Sequence, residues 1–229
     1  RRLSNVPVEA YLSSEFPANS VCGKNTLTIA VTQSGETKDT LDAITRAKVA
    51  GGHISSICNV INSTIARFTG NGAYLYAGPE YSVASTKAFT NMSAVLMLLA
   101  LTISEPDNAE RTRVIRGLRQ MPQRMSNYLH SDIDFDPIVN QIADSNTVLF
   151  IGRGPNSHIA SEAALKMMEI AYLPCIAYPA GELKHGPIAL IENGTPVIAI
   201  APDDSHYPKM EANIRECAAR GANVILVTN

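Results

Sequence analysis

The sequence has no tryptophan and only four cysteines, Cys22, Cys58, Cys175 and Cys217, which lie far apart. Structural zinc sites usually take ligands in closely spaced Cys or Cys/His pairs. This spacing gives no support to a metal site, and buried reduced thiols in a cytoplasmic protein are expected. The longest apolar run, Ala94 to Ile103, is too short to span a bilayer, so no membrane contact is expected.

An excess of either charge is also missing. The 229 residues carry 19 Lys and Arg against 21 Asp and Glu, a formal net charge of −2, so no nucleic-acid partner is expected. The sequence contains neither Gly-x-x-x-x-Gly-Lys-Ser/Thr nor Gly-x-Ser-x-Gly, which argues against nucleotide and serine hydrolases. No signal peptide is visible, and the chain begins Arg1-Arg2 without Met. We therefore expect a processed protein or a fragment.

What the sequence does contain is a weak internal duplication of a strand–helix–strand pattern. In the first copy, an apolar strand over 26–31 precedes a helix through Ala50 and a strand that ends at Cys58-Asn59. In the second copy, a strand over 196–201 precedes a helix through Arg220 and a strand that ends at Asn229. Such units are typical of parallel sheets covered on both faces, so the predicted fold class is α/β.

The two copies are unequal at their ends. A strand over 147–151 and a Gly152-Arg153-Gly154 turn precede the second copy only, and a helix from Ser85 to about Thr102 follows the first only. We expect a first domain over 1–104, a helical connection over 105–145 and a second domain over 146–229, the first lacking its N-terminal part and the second its C-terminal part. The connection is expected to begin at Glu105-Pro106-Asp107 and to hold helices around 109–120 and 136–144. The Gly152-Arg153-Gly154 turn fits a dinucleotide fingerprint poorly, and a tight turn without a ligand is expected.

The turn after the first strand is a candidate phosphate site. Thr32, Gln33, Ser34 and Thr37 supply hydroxyls and an amide at the start of a helix, and helix N-termini favour anions. The alternative is that Thr32 or Ser34 only caps the helix. The matching turn of the second copy contains two aspartates, which would repel phosphate, so only the first copy is expected to bind one.

A polar cluster follows the strand predicted over 147–151. Glu162, Lys166 and Glu169 lie at i, i+4 and i+7, on one face of a predicted helix. On a partly buried face these groups would perturb one another's protonation, which suits proton transfer; the alternative is a solvated ion pair. Glu182, Lys184 and His185 come next, before a sharp bend predicted at Gly186-Pro187.

These stretches resemble the isomerase part of the glutamine–fructose-6-phosphate amidotransferase (glucosamine-6-phosphate synthase) family. The likeness rests on four motifs and runs through nearly the whole chain: Gln33 to Thr37, Val83 to Phe89, Glu162 to Ile170 and Ala177 to Pro187. It implies two sugar-isomerase (SIS) domains, each a parallel sheet flanked by helices. It also implies conversion of fructose 6-phosphate towards glucosamine 6-phosphate without a metal or organic cofactor.

The resemblance also implies roles for single residues. Glu169 matches the base that moves a proton between C2 and C1, Lys166 a residue that assists at the sugar hydroxyls, and Glu162 a supporting carboxylate. His185 matches the ring-opening acid, which in the family comes from the other subunit of a homodimer. The segment Val83, Ala84 and Ser85 matches one that contacts the sugar; its alternative role is a helix start capped by Ser85.

Three parts of the family are expected to be missing here. They are the glutaminase domain with its N-terminal Cys, the Gly-rich phosphate-contacting loop of the first SIS domain, and a C-terminal tail whose lysine forms an imine with the sugar. The isolated chain is therefore expected to be inactive as a synthase. Two other functions stay open: a SIS-domain deaminase or isomerase, and a non-catalytic sugar-phosphate regulator.

Overall fold

The computed structural model describes residues 6–17, 22–104 and 108–229. Glu105-Pro106-Asp107, the predicted start of the connection, lies outside these ranges. The chain divides into two compact units, residues 1–131 and 132–229. The finer limits at residues 104 and 145 stay a prediction.

The first unit is built around a three-stranded parallel sheet in the order β1-β2-β3. The predicted strand–helix–strand unit is present, with β1 paired to β2 from Leu27↔His53 to Thr32↔Cys58. A short 3₁₀ helix, Ser13–Glu15, precedes the sheet. The strands and helices are β1 Leu27–Thr32, α1 Lys38–Val49, β2 His53–Cys58, α2 Thr64–Thr69, β3 Gly72–Tyr74, α3 Lys87–Ser104 and α4 Asn108–Leu129.

Sequence patterns missed or misplaced several boundaries in this unit. Strand β1 extends to Thr32, one residue beyond the prediction, because Thr32 still pairs with Cys58. The six-residue helix α2 and the three-residue strand β3 were not predicted, since neither is long enough to display a period. Helix α3 begins at Lys87, two residues later than predicted.

Helix α4 is longer than predicted. It runs from Asn108 to Leu129 and passes through Pro122, whereas the expected helix ended near residue 120. A proline in a helix interior removes one hydrogen bond and costs roughly 3 kcal/mol. Met121, Met125 and Leu129 continue the four-residue apolar spacing beyond the proline, and this spacing was the signal to extend the helix.

The second unit contains a four-stranded parallel sheet in the order β5-β4-β6-β7. Strand β5, which directly precedes the His185 segment, was not predicted, and neither were the two 3₁₀ helices that follow it. The α-helix expected over 136–144 ends at Ile142. The elements are α5 Asp136–Ile142, β4 Val148–Gly152, α6 Pro155–Ala171, β5 Cys175–Pro179, the 3₁₀ helices Ala180–His185 and Pro187–Leu190, β6 Pro196–Ile200, α7 Tyr207–Ala219 and β7 Asn223–Val227.

The second sheet is covered on both faces, as the continuous apolar strands predicted. All five residues of β4 are buried. Because side chains alternate along a strand, Leu149 and Ile151 pack with one set of residues, and Val148 and Phe150 with another. The first set includes residues of the 3₁₀ helix Ala180–His185 and of α7, namely Ala180, Leu183, Met210 and Cys217. The second set includes Ala160 and Ala164 of α6. Helix α6 and the 3₁₀ helix therefore lie on opposite faces of one sheet.

Among the described helices, none combines the length and apolar character needed to cross a membrane. The described residues also contain no group of three or more His, Cys, Asp or Glu side chains placed to hold a metal ion.

Candidate functional site

The loop after β1 brings the predicted phosphate-binding residues together. The buried Thr32 hydroxyl accepts a hydrogen bond from the Gly35 N–H at 3.1 Å, and the Ser34 hydroxyl accepts one from the Glu36 N–H at 3.2 Å. Helix α1 begins at Lys38, with Thr37 at its N-cap position and no side-chain capping bond. Thr32 and Ser34 therefore shape the loop and do not cap the helix. The N–H groups of the first turn of α1 have no partner within the helix.

The same loop is fixed against the segment that joins β2 to α2. The Gln33 carbonyl accepts N–H bonds from Asn59 and Val60, and the Gly35 carbonyl accepts one from Ile65 at 3.0 Å. Gly35 has φ +69°, and a Cβ placed on it would lie 2.0 Å from Ser63 Oγ. Only glycine fits here, because both its backbone angle and the close approach exclude a side chain.

Glu36, the one acidic residue of this loop, points away from the start of α1. Its Oε1 accepts the Thr64 N–H at 2.9 Å, and the hydrogen bond to Thr64, aided by the charge of Arg67, lowers the pKa of Glu36. The negative charge of Glu36 therefore interacts with the start of α2 and not with the start of α1.

The segment Val83–Ser85 is ordered by a carboxylate that the sequence did not single out. Glu80 Oε1 accepts hydrogen bonds from the Ser85 hydroxyl at 3.2 Å, the Thr86 N–H at 3.2 Å and the Ala88 N–H at 2.9 Å. The alternative role for this segment, a helix start capped by Ser85, is therefore not what the structure shows: Glu80 accepts the backbone N–H groups, and the Ser85 hydroxyl donates to the same carboxylate. Val83 is 86% exposed and Ala84 is buried, so the segment presents Val83 to the solvent.

Helix α6 places Glu162, Lys166 and Glu169 on one face, as predicted. Lys166 Nζ lies 2.8 Å from Glu169 Oε2 and 3.5 Å from Glu162 Oε1. The three side chains are 20–28% exposed, so this is a half-buried cluster and not a solvated pair. Burial alone would lower the pKa of Lys166, but the bond to Glu169 and the charges of both glutamates raise it. Lys166 is therefore a fixed cation at neutral pH.

The His185 segment is a 3₁₀ helix, Ala180–His185, that ends at Gly186 with φ 137° and ψ −52°. The predicted bend at Gly186-Pro187 is confirmed. His185 is exposed, and within the described part of the chain its imidazole makes no hydrogen bond or ion pair with the Glu162–Lys166–Glu169 cluster.

The topology of the second sheet explains why His185 lies apart from the Glu162–Lys166–Glu169 cluster. Helix α6 joins two parallel strands and so runs back from the carboxyl end of β4 to the amino end of β5. Glu169, near the end of α6, therefore lies at the amino edge of the sheet, whereas His185 follows the carboxyl end of β5. The five residues of β5 span about 16 Å, since each residue of a strand rises about 3.3 Å. Glu169 and His185 of one chain lie at opposite edges and on opposite faces of the sheet.

The turn after β6 differs from the turn after β1. Asp204 accepts the His206 N–H at 2.7 Å and the Asn156 amide at 3.2 Å, and the His206 bond is the main reason that its pKa is lowered. A charged carboxylate thus occupies the start of α7. Gly152-Arg153-Gly154 forms a tight turn in which the Arg153 Nε donates to Asn213 Oδ1 at 2.9 Å.

Comparisons with known proteins identify the family. The SIS domain family matches residues 1–102 and 141–229. The chain belongs to the SIS-domain family. The two matched SIS segments lie on either side of residues 103–140, the part of the chain that contains the whole of α4.

Curated SIS relatives resemble the chain over its whole length. A glutamine–fructose-6-phosphate aminotransferase (isomerizing) of Bradyrhizobium diazoefficiens is 42% identical over 233 residues, and one of Chlorobaculum tepidum is 40% identical over 230. The alignments cover 100% and 99% of this chain but 38% of each relative. The chain thus spans little more than a third of the length of these proteins.

Solved structures of SIS proteins also resemble this chain. The C-terminal domain of glucosamine-fructose-6-phosphate aminotransferase from Francisella tularensis has a TM-score of 0.92 and 34% identity, covering 97% of this chain and 65% of that one. A glucosamine-6-phosphate deaminase from Thermotoga maritima has a TM-score of 0.75 at 21% identity, covering 94% of this chain and 65% of that one. The second similarity shows the shared fold alone.

A first prediction concerns Gly35. Gly35→Ala should destabilise the first unit more than Gly51→Ala does. Both glycines have positive φ, so each substitution costs roughly 1–2 kcal/mol of backbone strain. Only the Cβ at position 35 meets neighbouring atoms, since nothing lies within 4 Å at Gly51. Urea unfolding followed by circular dichroism measures the difference, and equal losses for the two variants would contradict the tight packing of the loop.

A second prediction concerns pH. The Ala88 N–H bond, with the Ser85 bond and the charge of Lys87, holds the pKa of Glu80 below its ordinary 4.5 although partial burial opposes this shift. Glu80 therefore contributes stability above about pH 4.5, and the contribution is lost as the pH falls through the lower folded-state pKa. The stability difference between the wild type and Glu80→Gln should be constant near neutral pH and shrink in acid.

Urea midpoints from about pH 7 down to pH 3 test this, because the shrinkage falls in the range where a carboxylate with a lowered pKa titrates. Glu15→Gln, at an exposed carboxylate of the same unit, serves as the control. A Glu80→Gln difference that stays constant down to the lowest pH would show that the charge of Glu80 does not stabilise the helix start.

Proposed function

We propose that the chain is the fructose-6-phosphate-binding isomerase region of a glutamine–fructose-6-phosphate aminotransferase. The observation that carries this proposal is the joint presence of the Thr32–Thr37 loop and the Glu162–Lys166–Glu169 cluster in a SIS-domain chain. The curated relatives named above have this activity, and the similarity runs through both motifs. The domain limits 1–104, 105–145 and 146–229 belong to the same proposal.

The phosphate of the sugar is assigned to the loop after β1. Ser34 and Thr37 retain hydroxyl protons to donate, and the first turn of α1 offers N–H groups. The loop is already fixed by its bonds to Asn59, Val60 and Ile65, so little ordering is needed when a phosphate binds. Gln33 and the Val83–Ser85 segment are assigned to the sugar itself.

The proton transfer is assigned to Glu169. A ketose-to-aldose conversion needs one base that reaches both C1 and C2. The ammonium of Lys166 lies 2.8 Å from Glu169 Oε2 and holds this carboxylate in a fixed position on α6. Glu162 balances the Lys166 charge, and Lys166 also assists at the sugar hydroxyls.

His185 is assigned to ring opening in the site of a second subunit. It lies at the sheet edge and face opposite to Glu169, so one chain does not bring the two side chains to the same sugar. A homodimer with two composite sites, each pairing Glu169 of one chain with His185 of the other, removes this difficulty.

The wider setting follows from the relatives. We infer a cytoplasmic enzyme in which a glutaminase domain supplies ammonia and the product is glucosamine 6-phosphate, a precursor of UDP-N-acetylglucosamine. We assign no metal, organic cofactor, nucleic acid or membrane to the reaction.

Calorimetric titration of the complete protein tests the phosphate site. Fructose 6-phosphate should bind much more tightly than fructose, because charge-assisted bonds to the loop are lost without the phosphate. Ser34→Ala should weaken fructose 6-phosphate binding by about 10- to 150-fold, which corresponds to the loss of one hydrogen bond to a charged group. Ser145→Ala, whose hydroxyl bonds to the Gln141 carbonyl in the other unit, is the control. Equal affinity for the two sugars would contradict the assignment.

Complementation tests the composite site. Glu169→Gln keeps the side-chain shape and removes the base, and His185→Ala removes the acid, so each variant alone should lose isomerisation by about 100-fold or more. When the two inactive variants are mixed and exchange subunits, the mixed dimers should recover one working site.

Two results would contradict this proposal. One is confirmed subunit exchange without any recovery of activity, while each variant still binds the sugar phosphate. The other is a complete protein that stays monomeric at micromolar concentration.

A further inference from the structure

The 3₁₀ helix that carries His185 has three distinct sides. A 3₁₀ helix has three residues per turn, so residues i and i+3 lie on the same side. Ala180 and Leu183 are both 0% exposed and pack into the core. Glu182 and His185 are both exposed. The third side consists of Gly181 and Lys184, and it faces a polar network.

The network links this 3₁₀ helix to α7 and to the turn after β4. Lys184 Nζ lies 2.8 Å from Glu216 Oε1, and Glu216 Oε2 accepts the Asn213 amide N–H at 3.3 Å. Asn213 Oδ1 in turn accepts the Arg153 Nε–H at 2.9 Å. A Cβ on Gly181 would lie 2.9 Å from Arg153 Nη2, so the guanidinium packs directly against the 3₁₀ backbone.

Charge alternates along this chain of contacts. Arg153 only donates and the Glu216 carboxylate only accepts, and the buried Asn213 between them can satisfy both in a single orientation of its amide. The Lys184 bond, supported by Asn213 and by the charges of Lys184 and Arg153, lowers the pKa of Glu216 even though partial burial opposes this. Glu216 therefore stays charged and paired at neutral pH.

We infer that Arg153, Asn213, Glu216 and Lys184 are positioning residues, which fix the rotation of the 3₁₀ helix so that His185 projects outward. This inference rests on the function proposed for His185. The core contacts of Ala180 and Leu183 hold the segment on the sheet. An apolar contact has no direction, however, and a turn held by two side chains can still rock about them. The polar network on a second side removes that freedom.

The network also explains the Gly152-Arg153-Gly154 turn, for which the sequence predicted a tight turn without a ligand. In this inference, the turn places Arg153 in the network. Gly152 is required because a Cβ there would lie 2.2 Å from the Asn156 carbonyl oxygen. The tight turn at the carboxyl end of β4 brings Arg153 to Asn213 and to the 3₁₀ backbone.

The test uses substitutions at the exposed end of the network, which should not disturb folding. Glu216→Gln keeps the shape and removes the charge, and Lys184→Met removes the ion pair while Lys184→Arg keeps it. Glu211→Gln is the matched control, since Glu211 forms a 2.7 Å ion pair with Arg215 on the same helix, outside the network. Each variant is made in the complete protein.

Two measurements are made on every variant. Amide hydrogen exchange in residues 181–186 should accelerate about two- to fivefold in Glu216→Gln and Lys184→Met. This factor corresponds to the free energy that one partly exposed ion pair contributes. The kcat of isomerisation should fall by a similar factor with little change in the KM for fructose 6-phosphate, because the phosphate loop belongs to the other unit. Lys184→Arg and Glu211→Gln should behave like the wild type.

The two measurements separate the possible failures. Wild-type exchange in both Glu216→Gln and Lys184→Met would overturn the inference, whatever reaction the protein performs. Suppose that His185→Ala inactivates the protein but that the network variants show faster exchange and an unchanged kcat. This result would also overturn the inference, because the order of the 3₁₀ helix would then not affect the action of His185. If His185→Ala itself left isomerisation intact, the proposed role of His185 would fail, and the exchange data would still decide whether the network holds the segment.

Discussion

The burial of β4 on both faces is the constraint on which the second unit depends. A parallel strand of this kind must be covered by helices on each side, because its four side chains, Val148 to Ile151, alternate between two apolar layers. Helix α6 covers one layer, and α7 with the His185 segment covers the other. The covering that stabilises the sheet is therefore also what separates Glu169 from His185. This separation is the reason that the proposed function assigns Glu169 and His185 of one site to two different subunits.

Sequence patterns predicted the parts of the fold that depend on local periodicity. The βαβ units follow from continuous apolar runs, and the single face shared by Glu162, Lys166 and Glu169 follows from spacings of three and four residues. Gly72–Tyr74 was missed because three residues are too few to form such a run, and Cys175–Pro179 because it lies between Pro174 and a terminal Pro179. Their strand conformation comes from the neighbouring strand to which they are paired.

Contacts between residues distant in sequence were the other limit of prediction. The sequence places Ser34 and Ser85 correctly before helices, and helix capping is the usual role for serine there. In the structure, carboxylates outside the helices accept hydrogen bonds from backbone N–H groups at the helix starts. Glu36 bonds to the N–H of Thr64, 28 residues later, and Glu80 reaches Ala88 across a turn. The Glu36–Thr64 bond exists only once the strands bring two loops together, and the Glu80–Ala88 bond spans eight residues, beyond the three or four that helix-capping patterns cover.

These carboxylates have a consequence for the chemistry of the first unit. A loop that binds a dianion must keep its own negative charges away, and Glu36 does so by bonding to α2. The same bond helps to hold the Thr32–Thr37 loop against the β2–α2 segment, so the group that could repel a phosphate contributes to the rigidity of its site. The matching turn of the second unit lacks this arrangement, because Asp204 stays at the start of α7. Under the proposed function, only the first of the two corresponding turns binds an anion, because in the second unit the Asp204 carboxylate occupies this position and accepts the His206 N–H at the start of α7.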